Sequence, residues 1–379
     1  MTTTSTTPAP SSQQSAASRR ARLSLGAALP YAIAVVAAFA VVAVLIVALG
    51  HDPIQAFRAV LTNSFRNQTG VVQTLQKWVP LTLLALAFVI PLAAGRFNIG
   101  GEGQMILGAT GAVAVGIVGS GLPAAVLLPL VVLAGVLAGA LWAAVSAWLM
   151  DRFSVNEILS TVLLNFVSFE LLDYIASSVW SDAGAGGAVT IPIAAAAELP
   201  TVGRPPMHIG VILVAFLAAG AAVLARRSTA GYELRAVGFS PDAAHYGGIR
   251  PRGQVMLAMV ISGALAGLVG INELAGVQHR LLLDFVVGAG FTGIAVSLIG
   301  RNHPVGIVLA ALLFGALFQG GAELAFEIPG FSRDMVTTLQ GLIVLFSGAM
   351  AQVAAPGLAR VYGWLRPRPA AVATGVSGG

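Results

Sequence analysis

Long stretches without a single charged residue recur along this chain, and they limit its possible folds more than any other feature. Leu29–Gly50 and Leu122–Met150 each run without Asp, Glu, Lys or Arg. About 20 such residues suffice for a helix to cross a ~30 Å hydrocarbon core. Charged residues make up 9% of the 379, against about 25% in a soluble domain. Charge this sparse cannot coat a globule, which excludes a soluble enzyme and identifies an all-α polytopic membrane protein. Cysteine is absent, so disulfides, zinc–thiolate sites and redox thiols are excluded. The 45 glycines exceed the usual ~7%, an excess that in a membrane serves close helix packing.

Apolar runs set against turn signals predict ten transmembrane helices, at about 29–50, 74–95, 98–119, 122–150, 155–180, 208–226, 253–275, 288–302, 304–325 and 335–352. The eighth is short for a bilayer and reads as tilted, broken or partly re-entrant. With the N-terminus inside, fourteen arginines (19, 20, 22, 96, 152, 226, 227, 235, 250, 252, 301, 360, 366 and 368) fall on the cytoplasmic side. Arg58, Arg66, Lys77, Arg204, Arg280 and Arg333 fall outside. That bias predicts an even span count with both termini cytoplasmic. It also accounts for the net charge of +5 without nucleic acid as a partner. Residues 1–28 and 353–379 read as cytoplasmic tails, the first disordered, and 29–352 as the membrane domain. Arg19-Arg20 is a faint twin-arginine signal, but the apolar run after it is long enough to be a first span. Residues 52–68 predict a short amphipathic helix on the outer surface. Residues 181–207 form a loop too long for a simple connection. Either is an external contact surface or a plain connector.

Ionisable residues within spans are costly and mark candidate sites. In 155–173 (VNEILSTVLLNFVSFELLD), Glu157, Thr161, Asn165 and Ser168 share an arc of roughly 80° at 100° per residue. Such a stripe lines a wet pathway or bonds to neighbouring helices. Glu170 and Asp173 lie off it, near the span's outer end, where they reach the interface. In 95–104 (GRFNIGGEGQ), Asn98, Glu102 and Gln104 sit among glycines that let the backbone leave the helix. Glu102 is either a pathway group or a buried, paired part of a packing motif. Gly263, Gly267 and Gly270 share one stripe, Ser262 and Glu273 another, and Gly135 and Gly139 repeat the small-residue spacing used in helix packing. The single lysine, Lys77, follows Gln76, so there is no Gly-Lys to hold nucleotide phosphates. No HExxH occurs, and Ser262 has no histidine nearby in sequence, which disfavours intramembrane catalysis. Transport remains.

Four motifs then carry a resemblance: NIGGEGQMILGA (98–109), NEILSTVLLNF (156–166), LRAVGFSPDAAHYGGI (234–249) and GAGFTGIAVSLIGRNHPVG (288–306). In this order they resemble the permease subunits of bacterial type II ABC importers for ribose-type sugars and branched-chain amino acids. The 156–165 pattern is similar to the nucleoside-type branch. The resemblance implies a bacterial cytoplasmic-membrane permease with no ATPase of its own. ATP and Mg would bind a cytoplasmic ATP-binding subunit, beside a second, paralogous permease and an extracytoplasmic substrate-binding lipoprotein. Asn98, Glu102, Gln104, Glu157, Thr161, Asn165 and Ser168 would border the pathway. Arg235, Gly238, Ser240, Pro241, Ala244 and Tyr246 would form the loop seated in the ATPase. Phe97, Phe166, Phe169 and Phe291 are candidates for stacking on a nucleobase, though phenylalanines also serve as core. Two alternatives stay open: a simple-sugar permease of the same fold, and an ion-coupled secondary transporter with Glu102 or Glu157 as proton carrier. For the latter, a faint internal echo links 101–115 to 288–300.

Overall fold

The computed structural model describes residues 36–283 and 288–327, Ile33 and a few positions between 335 and 346. The tails and most of the expected tenth span lie outside the described residues. Two units are distinguished, residues 50–340 and the terminal segments 1–49 with 341–379. Helix α1 (Val36–Ala48) belongs to the terminal unit. The larger unit holds α2 (Pro53–Phe65), α3 (Gln68–Ala93), α4 (Gly101–Val118), α5 (Ala124–Phe153), α6 (Glu157–Tyr174), α7 (Gly210–Arg227), α8 (Thr229–Phe239), α9 (Pro241–Tyr246), α10 (Pro251–Glu273), α11 (Ala289–Ile299) and α12 (Pro304–Glu327). Among the described residues six helices are long and apolar enough to cross a membrane. The number rises to eight if each of two bent helix pairs is one span.

Helix starts follow their capping residues. Asp52 accepts from the Ile54 amide ahead of Pro53, Asn67 from Gly70, and Asn156 from both Ile158 and Leu159. Helix α3 is the axis of the unit: its apolar stretch is 67% buried, against 28% for α5 and α6. It packs on α10, α11, α12 and α7. Helix α5 instead leaves Leu130, Leu133, Leu137 and Leu141 bare on one side, which suits lipid.

Glycine sets the second core. A Cβ on Gly139 would strike the Gly263 carbonyl oxygen, and one on Gly263 the Gly139 carbonyl. A Cβ on Gly108 would strike Gly267, and one on Gly270 the Met105 carbonyl. Helices α4, α5 and α10 thus touch backbone to backbone, as the small-residue spacing predicts.

The 181–207 segment is an ordered strap. The amides of Thr190, Ile193 and Leu199 donate to the carbonyls of Leu281, His279 and Ala275. A short hairpin of β1 (Thr201–Val202) and β2 (Met207–His208) closes it. The strap links two π-turns, Ile175–Val179 after α6 and Leu274–Gln278 after α10. On the opposite side of the unit lie α8 and α9.

Candidate functional site

Helix α3 ends in a Schellman motif: Gly95 has φ +73°, its amide donates to Leu92 and that of Arg96 to Pro91. The chain then runs without regular structure to Gly101, as the glycines at 95–101 predict. Asn98 organises this break. Its Nδ2 donates to Gln104 Oε1 (3.0 Å) and Ser262 Oγ (2.8 Å). Its Oδ1 accepts from the Gly100 amide and Gln104 Nε2, both at 3.0 Å. Ser262 Oγ in turn donates to the Ala87 carbonyl at 2.6 Å. That hydroxyl is a structural tie between α3, α10 and the break.

The polar stripe of α6 faces the same segment. Asn165 Nδ2 donates to the Ile99 carbonyl (3.0 Å), and its Oδ1 accepts from the Gly103 amide (2.9 Å). Thr161 Oγ1 donates to the Glu157 carbonyl, and Ser168 Oγ to that of Asn165. A Cβ on Gly103 would meet Asn165 Oδ1 and Ser168 Oγ at 2.8 Å, so only glycine lets α4 lie this close to α6. Glu157 pairs with Arg96 at 2.8 Å. The structure therefore gathers Asn98, Gln104, Thr161, Asn165 and Ser168 into one buried seam, with the Arg96–Glu157 pair at its edge. Glu170 and Asp173 are exposed on α6.

Glu102 occupies a separate position. It is buried beside Gly290, where a Cβ would strike its Cγ, and its Oε1 has no hydrogen-bond partner. Gly290 belongs to the first turn of α11, which has no side-chain cap of its own. The acid thus stands beside a helix start whose first amides are left unpaired by the helix itself. Helix α11 has 11 residues, about 16 Å and too short to cross. Gly293, in its second turn, packs on Leu84 in the middle of α3. The short eighth segment is therefore a helix of less than bilayer length that packs beside the middle of α3. The two echoing glycine-rich segments meet here: a Cβ on Gly101 would lie 4.0 Å from Gly290 Cα.

Gly238 joins the α8–α9 pair to this region. A Cβ on it would strike the Ala93 carbonyl, and one on Gly95 would lie 3.3 Å from Gly238 Cα. Helix α9 starts as its Ser-Pro-Asp predicts, with Ser240 Oγ accepting from the Ala243 amide. Ala244 is buried, whereas Phe239 and Tyr246 are 90% and 93% exposed. Arg235, Gly238, Phe239 and Asn302 line a cleft of about 320 Å³ behind the pair. Glu233 accepts from Gln254 and ties α8 to α10. The four phenylalanines do not form one platform. Phe97 packs on Phe88 with centroids 6.0 Å apart, Phe166 and the half-buried Phe169 stand on α6, and Phe291 is exposed on α11.

Sequence reasoning overlooked three features. Arg96 as partner of Glu157 was legible, since both stand at the same predicted membrane boundary. Ser262 in the Asn98 network was not. His208 is fully buried with both ring nitrogens unpartnered, and burial lowers its pKa from 6.5. It lies just outside α7, with Asn272 and its neighbour Glu273 close by on α10.

Residues 70–348 match the family described as the branched-chain amino acid transport system permease component. This chain belongs to that permease family. The permease is 38% identical over 331 residues to the glucose ABC transporter permease protein TsgB13 of Haloferax volcanii, covering 83% of this chain and 85% of that one. It is 34% identical over 319 residues to the guanosine ABC transporter permease protein NupP of Bacillus subtilis, covering 83% and 91%. To the nucleoside ABC transporter permease protein NupB of Lactococcus lactis it is 29% identical over 324 residues, covering 83% and 88%. No solved structure matches it. Family and fold together make it a multi-pass membrane transport component.

Proposed function

We propose that this permease is the membrane-spanning subunit of an ATP-driven importer that moves nucleosides across the bacterial plasma membrane by alternating access. The family match over 70–348 carries the importer reading. For the substrate, the support is the NEILSTVLLN segment and the likeness to proteins named for guanosine and nucleosides. A sugar is the second reading, favoured by the 38% identity to a protein named for glucose. Both solutes carry vicinal hydroxyls, and amides, carbonyls and carboxamides are the groups that bind them.

In this reading ten spans place both termini and α8–α9 in the cytoplasm and the strap outside. The tips Phe239 and Tyr246, with Arg235, Gly238, Ser240, Pro241 and Ala244 shaping the pair, seat in an ATP-binding subunit that holds ATP and Mg. A second, paralogous permease completes the pathway; the relatives include two such named pairs, NupB with NupC and NupP with NupQ. An extracytoplasmic binding lipoprotein delivers the solute. Movement of α8 is passed at Gly238 to Gly95, and from there to the Asn98 network and the Arg96–Glu157 pair. Asn98, Glu102, Gln104, Glu157, Thr161, Asn165 and Ser168 border the route, and the start of α11 beside Glu102 offers polar groups.

The test is purification of the tagged chain in mild detergent, followed by reconstitution with whatever co-purifies. Recovery of an ATP-binding subunit and ATP-dependent uptake of labelled guanosine are expected. Uptake of glucose but not guanosine would transfer the assignment to the sugar reading. Uptake driven by a proton gradient without ATP would overturn the importer reading.

A further inference from the structure

A second cavity, of about 450 Å³, opens where the α2–α3 turn meets the β1–β2 hairpin of the strap. Arg66 and Gln68 line it from the turn, Arg204 from the hairpin, with Phe65, Val72 and Val202 as apolar wall. Among the described residues neither arginine makes an ion pair, and no acid lines the cavity. None lies nearby in sequence either: there is no Asp or Glu between Asp52 and Glu102, or between Glu198 and Glu233. Two exposed arginines on separate segments border one apolar-walled hollow without a counter-charge, and that charge pattern favours an anion.

The surroundings select which anion. Helix α2 buries Ala56, Val60 and Ser64 against its neighbours, and Ser64 Oγ donates to the Ala316 carbonyl at 2.7 Å. Its free face carries Ile54, Arg58, Leu61 and Phe65, with Ile54 76% and Leu61 58% exposed. An apolar and basic helix face belongs at a lipid headgroup boundary, and the cavity continues that face through Phe65. A soluble anion would leave the apolar wall wet, whereas a phospholipid fills both parts.

We propose that this cavity binds an anionic phospholipid, its phosphate held between Arg66 and Arg204 and its acyl chains lying along Val72, Val202 and the free face of α2. Guanidinium forks match phosphate oxygens two at a time. The lipid would tie the strap to the α2–α3 turn, two parts far apart in sequence. The inference rests on the chain being a membrane protein, and holds whichever solute is carried and whichever leaflet the strap faces.

The test uses the full chain, purified and delipidated in neutral detergent, with dioleoyl-phosphatidylglycerol and dioleoyl-phosphatidylcholine as probes and native mass spectrometry as readout. The wild type should retain one phosphatidylglycerol with a preference of about tenfold, the size of one or two charge-assisted bonds. Arg66→Gln with Arg204→Gln should remove that preference. Arg250→Gln, in the exposed turn before α10 and away from both the cavity and α2, should keep it. Should the double variant fail to fold, Arg204→Gln alone, on the hairpin, should still weaken retention several-fold. Equal retention by wild type and a folded Gln variant would overturn the proposal. So would displacement of the lipid by millimolar inorganic phosphate, which assigns the arginines to a soluble anion. A folded double variant that keeps its lipid but loses a protein partner would assign them to that protein instead.

Discussion

Asn98 shows how much one side chain does in a chain this apolar. It satisfies the break between α3 and α4 and joins both to α10 through Ser262. Removing it leaves Gln104 and the Gly100 amide buried without partners. Interhelical side-chain bonds in membranes average about 0.6 kcal/mol, and stranding a buried polar group costs about 1–3 kcal/mol. Asn98→Leu should therefore destabilise the permease by about 2–3 kcal/mol, seen as a lower midpoint of thermal unfolding in detergent. An unchanged midpoint would show that water replaces the side chain. His208 provides a pH test. Burial lowers its pKa from 6.5, so the unfolded strap binds protons more readily than the folded one. The stabilisation is complete above pH 6.5 and is lost as pH falls through and below it. Protection factors for the amides of residues 199–209, with the intrinsic pH dependence of exchange divided out, should fall on acidification in the wild type and stay level in His208→Phe. The Asn98 cluster was visible in sequence as polar residues among glycines. The burial of His208 was not, because a lone histidine beside a span carries no sign of what covers it.

At the scale of elements, close backbone contact explains where the glycines must be. Gly139 and Gly267 stand at α5–α10 contacts where a Cβ meets backbone, whereas a Cβ on Gly220 of α7 meets nothing within 4 Å. Gly139→Val and Gly267→Val should each cost about 3 kcal/mol or more, read as loss of the monodisperse peak on size exclusion, while Gly220→Ala should be silent. If all three behave alike, the seam is not what holds these helices together. Helices α8 and α9 give the functional counterpart. They leave Phe239 and Tyr246 bare, and large aromatic tips of this kind anchor protein interfaces. Phe239→Ser with Tyr246→Ser should leave the amount of permease in the membrane unchanged and lower ATP-driven uptake at least about tenfold, the loss of one anchor's worth of binding. Undiminished uptake would remove the pair from the coupling role.

For the whole molecule, the absence of cysteine makes sidedness directly measurable. Single cysteines at Tyr246 and Arg204 should label with an impermeant maleimide from opposite faces of oriented vesicles, the first from the cytoplasmic face. Labelling of both from one face would break the ten-span arrangement. The hydropathy of the chain by itself determined the class, because apolar runs of bilayer length have no stable place in water. Apolar runs set against turn signals placed most span ends to within a few residues, and Ser240-Pro241 marked the start of α9, since such signals act within one turn. Periodicity placed Glu157, Thr161, Asn165 and Ser168 on one face of α6, yet left open what that face meets. Only the tertiary structure decided that it meets the Asn98 break, that Glu102 lies against the amino end of α11, that the strap is zipped to the end of α10, and that Arg66 and Arg204 share a cavity. The physical reason is range: caps and periodicities act over a few residues along the chain. Each of those contacts joins segments tens to hundreds of residues apart, and only packing in three dimensions selects among the partners a buried polar group could take.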